Sequence, residues 1–291
     1  MKILLIGKTG QLGNDILRLG SPIHDIYSPE RDILDIGLPD RIEEILALYT
    51  PDVVINTAAY HNVPLCEIEY SMAFKINCIA VKNLAKLCKK VKAVFVTFST
   101  DYVFDGEKKN PYLEHDKPAP LQIYGISKLA GEFASLSVWP ERTIIIRTCG
   151  LYGLSGAQSK GGNFVDKRII DAKEHNLIEI GCDQVVSPTY TNDLAKAVLQ
   201  LIAHSNIKAG IYHMVNRGEC SWYEFTKAIY EIMRLKVKVV PADRKGLSGE
   251  MRRPLYSVLS NTRAAAMGIT LPNWRDALER YLREKYLLER Y

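Results

Sequence analysis

An α/β fold built on a doubly wound parallel sheet, with a smaller C-terminal lobe, is predicted by three observations. Short apolar runs rich in Val and Ile alternate with segments of helical spacing through the first half of the 291-residue chain. A glycine-rich turn follows the first of these runs. The rhythm changes after residue 150, where glycine-rich sequence interrupts it. Apolar strands separated by helices belong to a parallel sheet covered on both faces. Right-handed crossovers wind that sheet in both directions, which is the Rossmann arrangement.

KILLI (2–6) reads as the first strand, and the helix after it starts near Gln11. HDIYS (24–28), DVVINTA (52–58), KAVFVTFS (92–99) and RTIIIRT (142–148) are the next four strands. Residues 39–49, 71–89 and 121–137 have helical spacing between them. Farther on, 152–163 reads as a loop and 163–175 as a helix. Residues 178–198 give strand, loop and a helix capped near Thr191 to Asp193. GIYHMVN (210–216) is a further strand, and Ser221 starts a helix whose capping box Glu224 completes. The tail over 274–290 is amphipathic.

Composition narrows the class. With 47% apolar and 24% charged residues, this is an ordinary globular composition. No apolar run approaches the roughly 18 residues of a membrane helix. MKILLIGKTG reads as strand and turn, not as a signal peptide. The net charge of +5 is mild and spread out, so neither nucleic acid nor membrane is expected as a partner. The most basic stretch, 244–263, lacks interleaved aromatics apart from Tyr256. Cysteines 66, 78, 88, 149, 182 and 220 show no C-x-x-C and no zinc spacing with histidine. Free thiols of this kind fit a reducing, cytoplasmic setting. His61 reads as a surface or supporting residue.

Gly7, Gly10 and Gly13, in GKTGQLG with Thr9, Gln11 and Leu12, follow the first strand and open the first helix. Glycine allows the tight turn and the close approach of a pyrophosphate, which the helix N-terminus attracts. A dinucleotide-binding domain is therefore expected over 1–149, and a substrate-binding lobe over 150–291 with some elements returning to the first sheet. At the end of the second strand, Ser28 and Arg31 favour NADP(H), while Glu30 and Asp32 leave NAD(H) open. Asp35 and Ile36 are placed beside the adenine. Ala58 and Ala59, in INTAAY with Tyr60, leave room for a flat cofactor at a strand end. Asn77 is counted with the cofactor contacts.

Three groups converge where a nicotinamide would lie. Thr100 ends the fourth strand, and Tyr124 and Lys128 share one face of the next helix. Tyr124 would give a proton to a carbonyl oxygen, Lys128 would lower the tyrosine pKa by its charge and hold the ribose, and Thr100 would polarise the carbonyl. Asp101 is either a ligand for a sugar hydroxyl or the head of an Asx-turn.

GKTGQLG, INTAAY, FSTDYVFDG, YGISKLAGE, RTCGLYG, DQVVSPTYTNDLA, YHMVNRGECSWYEF and RRPLYSVL stand in the order found in dTDP-4-dehydrorhamnose reductases. Over nearly its whole length the chain resembles that family of extended short-chain dehydrogenase/reductases. The late motifs separate it from sugar epimerases. The resemblance implies NAD(P)H-dependent reduction of the 4-keto group of a dTDP-6-deoxyhexulose to dTDP-L-rhamnose. By it Thr100, Tyr124 and Lys128 are catalytic, and Gly7 to Leu12, Asp35, Ile36 and Ala58 to Tyr60 bind cofactor. Arg253 would bind the substrate pyrophosphate or, equally, make a structural ion pair. Three departures stand out. Gly150 replaces the tryptophan that many members hold over the sugar, and Pro64 replaces a common aspartate. Asn14–Asp15 stands where some members have acidic residues for magnesium, so no metal is expected. Expected partners are the nucleotide-sugar and, as an option, a second copy of the chain. Two other readings share these motifs: a non-catalytic NADP-binding regulatory subunit, as of methionine adenosyltransferase, and a sugar-nucleotide epimerase or dehydratase.

Overall fold

The structure is a computed structural model that describes residues 1–156, 161–248 and 251–287. Strands β1 (Lys2–Ile6), β2 (Asp25–Tyr27), β3 (Val53–Asn56), β4 (Val94–Thr100) and β5 (Thr143–Thr148) come from the first half. Between them run α1 (Gln11–Gly20), α2 (Pro39–Tyr49), α3 (Val63–Ile68), α4 (Tyr70–Phe74), α5 (Val81–Val91) and α6 (Ile123–Val138). The second half adds β6 (Leu151–Tyr152), α7 (Phe164–Glu174), β7 (Leu177–Gly181), β8 (Val185–Val186), β9 (Thr189–Tyr190) and α8 (Thr191–Ala203). Strand β10 (Gly210–His213) is followed by β11 (Cys220–Ser221), α9 (Trp222–Met233) and β12 (Lys238–Ala242). The described chain ends in the helices α10 (Thr262–Ala265) and α11 (Trp274–Leu282) and a π-turn over Arg283–Leu287.

The main sheet has six parallel strands in the order β10-β5-β4-β3-β1-β2. Side chains alternate across it, as a pleated strand requires. Ile3 and Leu5 enter a core with Ile16 of α1 and Leu194 and Val198 of α8. Leu4 and Ile6 enter the opposite core with Ile42 of α2 and Leu84 of α5. Two buried faces explain why these strands are apolar throughout. A third core, around Tyr152, Phe225 and Tyr281, holds the small parallel pair β7–β12 with α7, α9 and α11.

Several boundaries differ from the sequence reading. The helix expected over 71–89 begins earlier, at Val63, because the Asn62 side chain accepts from Leu65 N–H (3.3 Å) and Pro64 sits in the first turn. A π-turn, Lys75–Ala80, then precedes α5. Thr191 and Asp193 do not cap α8. The Thr191 hydroxyl donates to Asp15 (2.6 Å), and Asp193 holds the Arg280 guanidinium (2.7 and 2.9 Å). Strand β10 stops at His213, because the Asn216 side chain turns to the Tyr190 N–H (2.8 Å). The Asn163 and Ser221 capping boxes are both present. Residues 157–160 of the expected loop and 288–290 of the tail lie outside the described residues. Among the described residues, no helix is long and apolar enough to cross a membrane. All six cysteines are free thiols.

Candidate active site

The carboxyl ends of β1, β3, β4 and β5 share one edge of the sheet, and α1 starts there. Gly7 has φ +91°, and a Cβ on it would lie 2.6 Å from Thr57 Oγ1. A Cβ on Gly13 would lie 2.2 Å from the Gly7 carbonyl oxygen. Helix and loop therefore meet at a distance only hydrogen fills. The Gly10 N–H donates to Gly7 O (3.0 Å), and no side chain caps α1. The first N–H groups of that helix are thus open to an anion. Gln11 Oε1 is buried here with no hydrogen-bond partner among the described residues. A pyrophosphate fits this cradle. Thr9 is exposed above it, and Leu12 packs below into the core.

At the end of β2 the Ser28 hydroxyl donates to Leu5 O (2.8 Å), and Lys8 neutralises Glu30 (2.8 Å). Arg31 is 86% exposed and touches Asp35 (3.1 Å). Burial raises the Asp35 pKa, but the Gly37 N–H and Arg31 outweigh it and hold the carboxyl below its ordinary range. Ile36 is buried in the α2 core. Asn77, counted above with the cofactor contacts, is spent on the protein. Its amide accepts from Tyr60 N–H (2.9 Å) and donates to Tyr60 O (2.9 Å) and Ser127 Oγ (3.0 Å). It fixes the loop carrying Ala58 and Ala59 against α6. The Tyr60 hydroxyl bonds Glu69.

Thr100 and Tyr124 meet at the edge. Gln122 caps α6 by accepting from Gly125 N–H (3.3 Å), which sets Tyr124 in the first turn. The Thr100 hydroxyl donates to Asp101 Oδ1 (3.0 Å) and accepts from Tyr102 N–H (3.2 Å). Asp101 Oδ2 accepts from Ser257 Oγ (2.6 Å) and Cys149 Sγ (3.1 Å). The Asp101 carboxylate, 3% exposed, is therefore turned inward. In place of a sugar ligand it is a peg joining the ends of β4 and β5 to the segment after Arg253. Burial pushes its pKa up, against those three hydrogen bonds. Cys149 and Ser257 carry no sequence signal for this contact, since Ser257 is 156 positions from Asp101.

The tyrosine differs from expectation. Burial, then the charges of Asp101 and Cys66, push the Tyr124 pKa up, and the nearby Thr100 hydroxyl opposes them. Lys128 does not reverse this, because desolvation of the phenol outweighs a neighbouring cation. Burial in turn pushes Lys128 down to about 8, with Glu132 opposing. The phenol keeps its proton at neutral pH, as a proton donor must.

Tyr102 meets Tyr124 edge to face (6.2 Å, 81°), and burial raises the Tyr102 pKa against the Arg253 charge, which pulls it down. Arg253 Nε is buried without a hydrogen-bond partner, and no carboxylate of the described residues pairs with it. Gly150 has φ +54°, and a Cβ on it would lie 3.1 Å from Trp222 Cη2. The first residue of α9 thus puts an indole over Gly150, wedged against Phe164 (4.5 Å between rings). Among the described residues no group of three or more His, Cys, Asp or Glu could hold a metal ion.

The sequence matches the family model described as RmlD substrate binding domain over residues 1–287. It is 36% identical to the spore coat polysaccharide biosynthesis protein SpsK of Bacillus subtilis, over 98% of both chains. It is 35% identical to a dTDP-4-dehydrorhamnose reductase of Burkholderia thailandensis, over 96% of this chain and 97% of that one. The crystal structure of dTDP-4-dehydrorhamnose reductase from Bacillus anthracis in complex with NADP superposes with a TM-score of 0.91 at 35% identity, covering 97% of this chain and 99% of that one.

Proposed function

The chain belongs to the RmlD substrate-binding-domain family of NAD(P)-dependent nucleotide-sugar reductases, and on that premise we propose that it reduces the 4-keto group of dTDP-4-dehydrorhamnose to give dTDP-L-rhamnose. The observation that carries this reading is the placement of Tyr124 in the first turn of α6, against Tyr102 just after Thr100 at the end of β4 and one helical turn from Lys128. NADPH is the favoured cofactor. The exposed Arg31 is free to swing from Asp35 to a ribose 2′-phosphate, and the Bacillus anthracis relative was crystallised with NADP. The nicotinamide supplies the hydride.

The protein's part is binding, orientation and one proton. The N–H groups from Gly7 to Leu12 take the cofactor pyrophosphate, and Ala58 and Ala59 leave room beside it. Asp35 and Ile36 border the adenine. The Tyr124 O–H delivers its proton to the ketone oxygen as the carbonyl carbon gains hydride, giving a secondary alcohol. Lys128 stabilises the phenolate left behind, and Thr100 holds the phenol in line. Arg253 carries a buried, unpartnered N–H suited to the substrate pyrophosphate. The likeness to SpsK favours a second reading, the same reduction on another deoxysugar nucleotide. The wall of Gly150 and Trp222 is where such substrates would be told apart.

The test is NADPH oxidation with freshly prepared dTDP-4-keto-6-deoxysugar. Tyr124→Phe should lose about 100-fold or more in kcat, the range of a positioned general acid, with NADPH affinity within about twofold. A near-full rate in that variant would overturn the acid assignment. Oxidation with a different sugar nucleotide only would keep the reaction class and remove the substrate. Co-purification with a partner enzyme and no turnover would replace the reductase by the regulatory subunit.

A further inference from the structure

Tyr124, Lys128 and Glu132 lie at successive turns of α6, so their side chains share one face. Glu132 is engaged from the other side by β5. Its carboxylate takes two parallel hydrogen bonds from Arg147, Nε–H to Oε1 (2.9 Å) and Nη2–H to Oε2 (2.6 Å). Glu132 is 2% exposed, Arg147 1% and Lys128 6%. Two cations and one carboxylate are thus enclosed together. Lys128 and Glu132 line the same internal cavity of about 10 Å³, walled by Asn77, Thr97 and Ser99. The catalytic tyrosine therefore stands at one end of a charge series that runs inward to the sheet.

We propose that Glu132 is a positioning residue for the reduction, its carboxylate clamped by Arg147 one helical turn from Lys128 so that the buried Lys128 keeps its positive charge beside Tyr124. This rests on the reductase reading above. The other titratable groups around α6 do not supply that counter-charge: Glu67 of α3 accepts from the Ile123 N–H at the start of the helix (2.8 Å) and is not among the charges that act on Lys128. Arg147 on β5 is a cation and acts through Glu132. Asp101 and Tyr102 after β4, and Cys66 on α3, act on Tyr124. On the π-turn, Cys78 is a thiol that burial holds protonated. Lys75, Lys82 and Lys86 are exposed. Burial lowers the Lys128 pKa, and Glu132 is the charge that acts on Lys128 to oppose it. Arg147 neutralises the same carboxylate, so losing Glu132 and losing Arg147 should move Lys128 in opposite directions.

The experiment follows Lys128 by ¹³C NMR of lysine Cε across pH in the full-length protein, the signal being assigned by its loss in Lys128→Arg. Glu132→Gln should lower the titration midpoint of Lys128 by about one pH unit or more. Arg147→Met should raise it, since the carboxylate is left to Lys128 alone. Removing one member of a buried pair can unfold a protein, whereas replacing both is often tolerated. The double variant Glu132→Gln/Arg147→Met is therefore the control for folding, and its midpoint should also fall below wild type. The high-pH limb of kcat should move with the NMR midpoint in each variant. An unmoved midpoint in the folded double variant, or shifts of the same sign in Glu132→Gln and Arg147→Met, would overturn the proposal. The NMR midpoints need no substrate, so absence of turnover in wild type would count against the reductase reading and not against the role of Glu132.

Discussion

A methyl group at Gly13 would sit 2.2 Å from the Gly7 carbonyl oxygen, so Gly13→Ala must push α1 away from β1. Overpacking of this kind costs about 1–3 kcal/mol. It also displaces the N–H groups proposed to hold pyrophosphate. NADPH affinity should fall at least about tenfold, read by quenching or transfer of cofactor fluorescence; unchanged affinity would separate the loop from the cofactor. His213 gives a pH dependence. Burial and then the Arg147 charge push its ring from 6.5 down to about 3. Between those values the unfolded chain binds a proton that the folded one excludes, so stability rises with pH across the window and is lost as pH falls. His213→Asn should flatten that acid limb when urea midpoints are compared between about pH 6 and pH 4. A limb of unchanged steepness would move the cause to another group.

Elements place side chains through their ends. Trp222 is the first residue of α9, and the Ser221–Glu224 capping box fixes the start of that helix (3.1 Å and 2.8 Å). Ser221→Ala should cost about 1 kcal/mol of stability. Because the same cap holds the indole over Gly150, KM for the nucleotide-sugar should rise several-fold while NADPH affinity stays. A rise in both would place Trp222 at the cofactor instead. The π-turn before α5 works in the same way. It carries Asn77, whose amide ties the Tyr60 loop to Ser127 of α6. There α6 lies so close that a Cβ on Gly131 would be 2.1 Å from Asn77 O. The irregular turn thus sets the distance between the cofactor edge and the helix of Tyr124 and Lys128.

At the scale of the molecule, the second half of the chain is built into the first. β10 pairs in parallel with β5, and α8 packs beside α1 under β1. The peg at Asp101 joins β4, β5 and the segment carrying Ser257. The two halves of the chain therefore belong to one packed body, and a ligand on the glycine loop should stabilise the whole fold. NADPH at about 100 times its Kd should add about 2.7 kcal/mol. In a thermal melt this is a rise of several degrees in Tm, larger than NADH gives at equal concentration. Equal shifts would remove the preference assigned to Arg31, and no shift would remove the cofactor proposal.

By itself the sequence determined what short-range periodicity and turn chemistry encode. These are the apolar strands of a parallel sheet, the glycine loop that closes on α1, the Ser221–Glu224 capping box and the Tyr124–Lys128 spacing. Each depends on residues within one or two turns of one another, where the backbone period is fixed. Tertiary structure alone decided that Asp101 faces inward to Cys149 and Ser257, and that Asn77 serves Tyr60. It also decided that Trp222 fills the space over Gly150 and that burial governs Tyr124. Those outcomes rest on pairings between distant segments and on how much water each group loses. Neither is carried by local spacing, because one apolar or polar pattern is compatible with many partners until the chain packs.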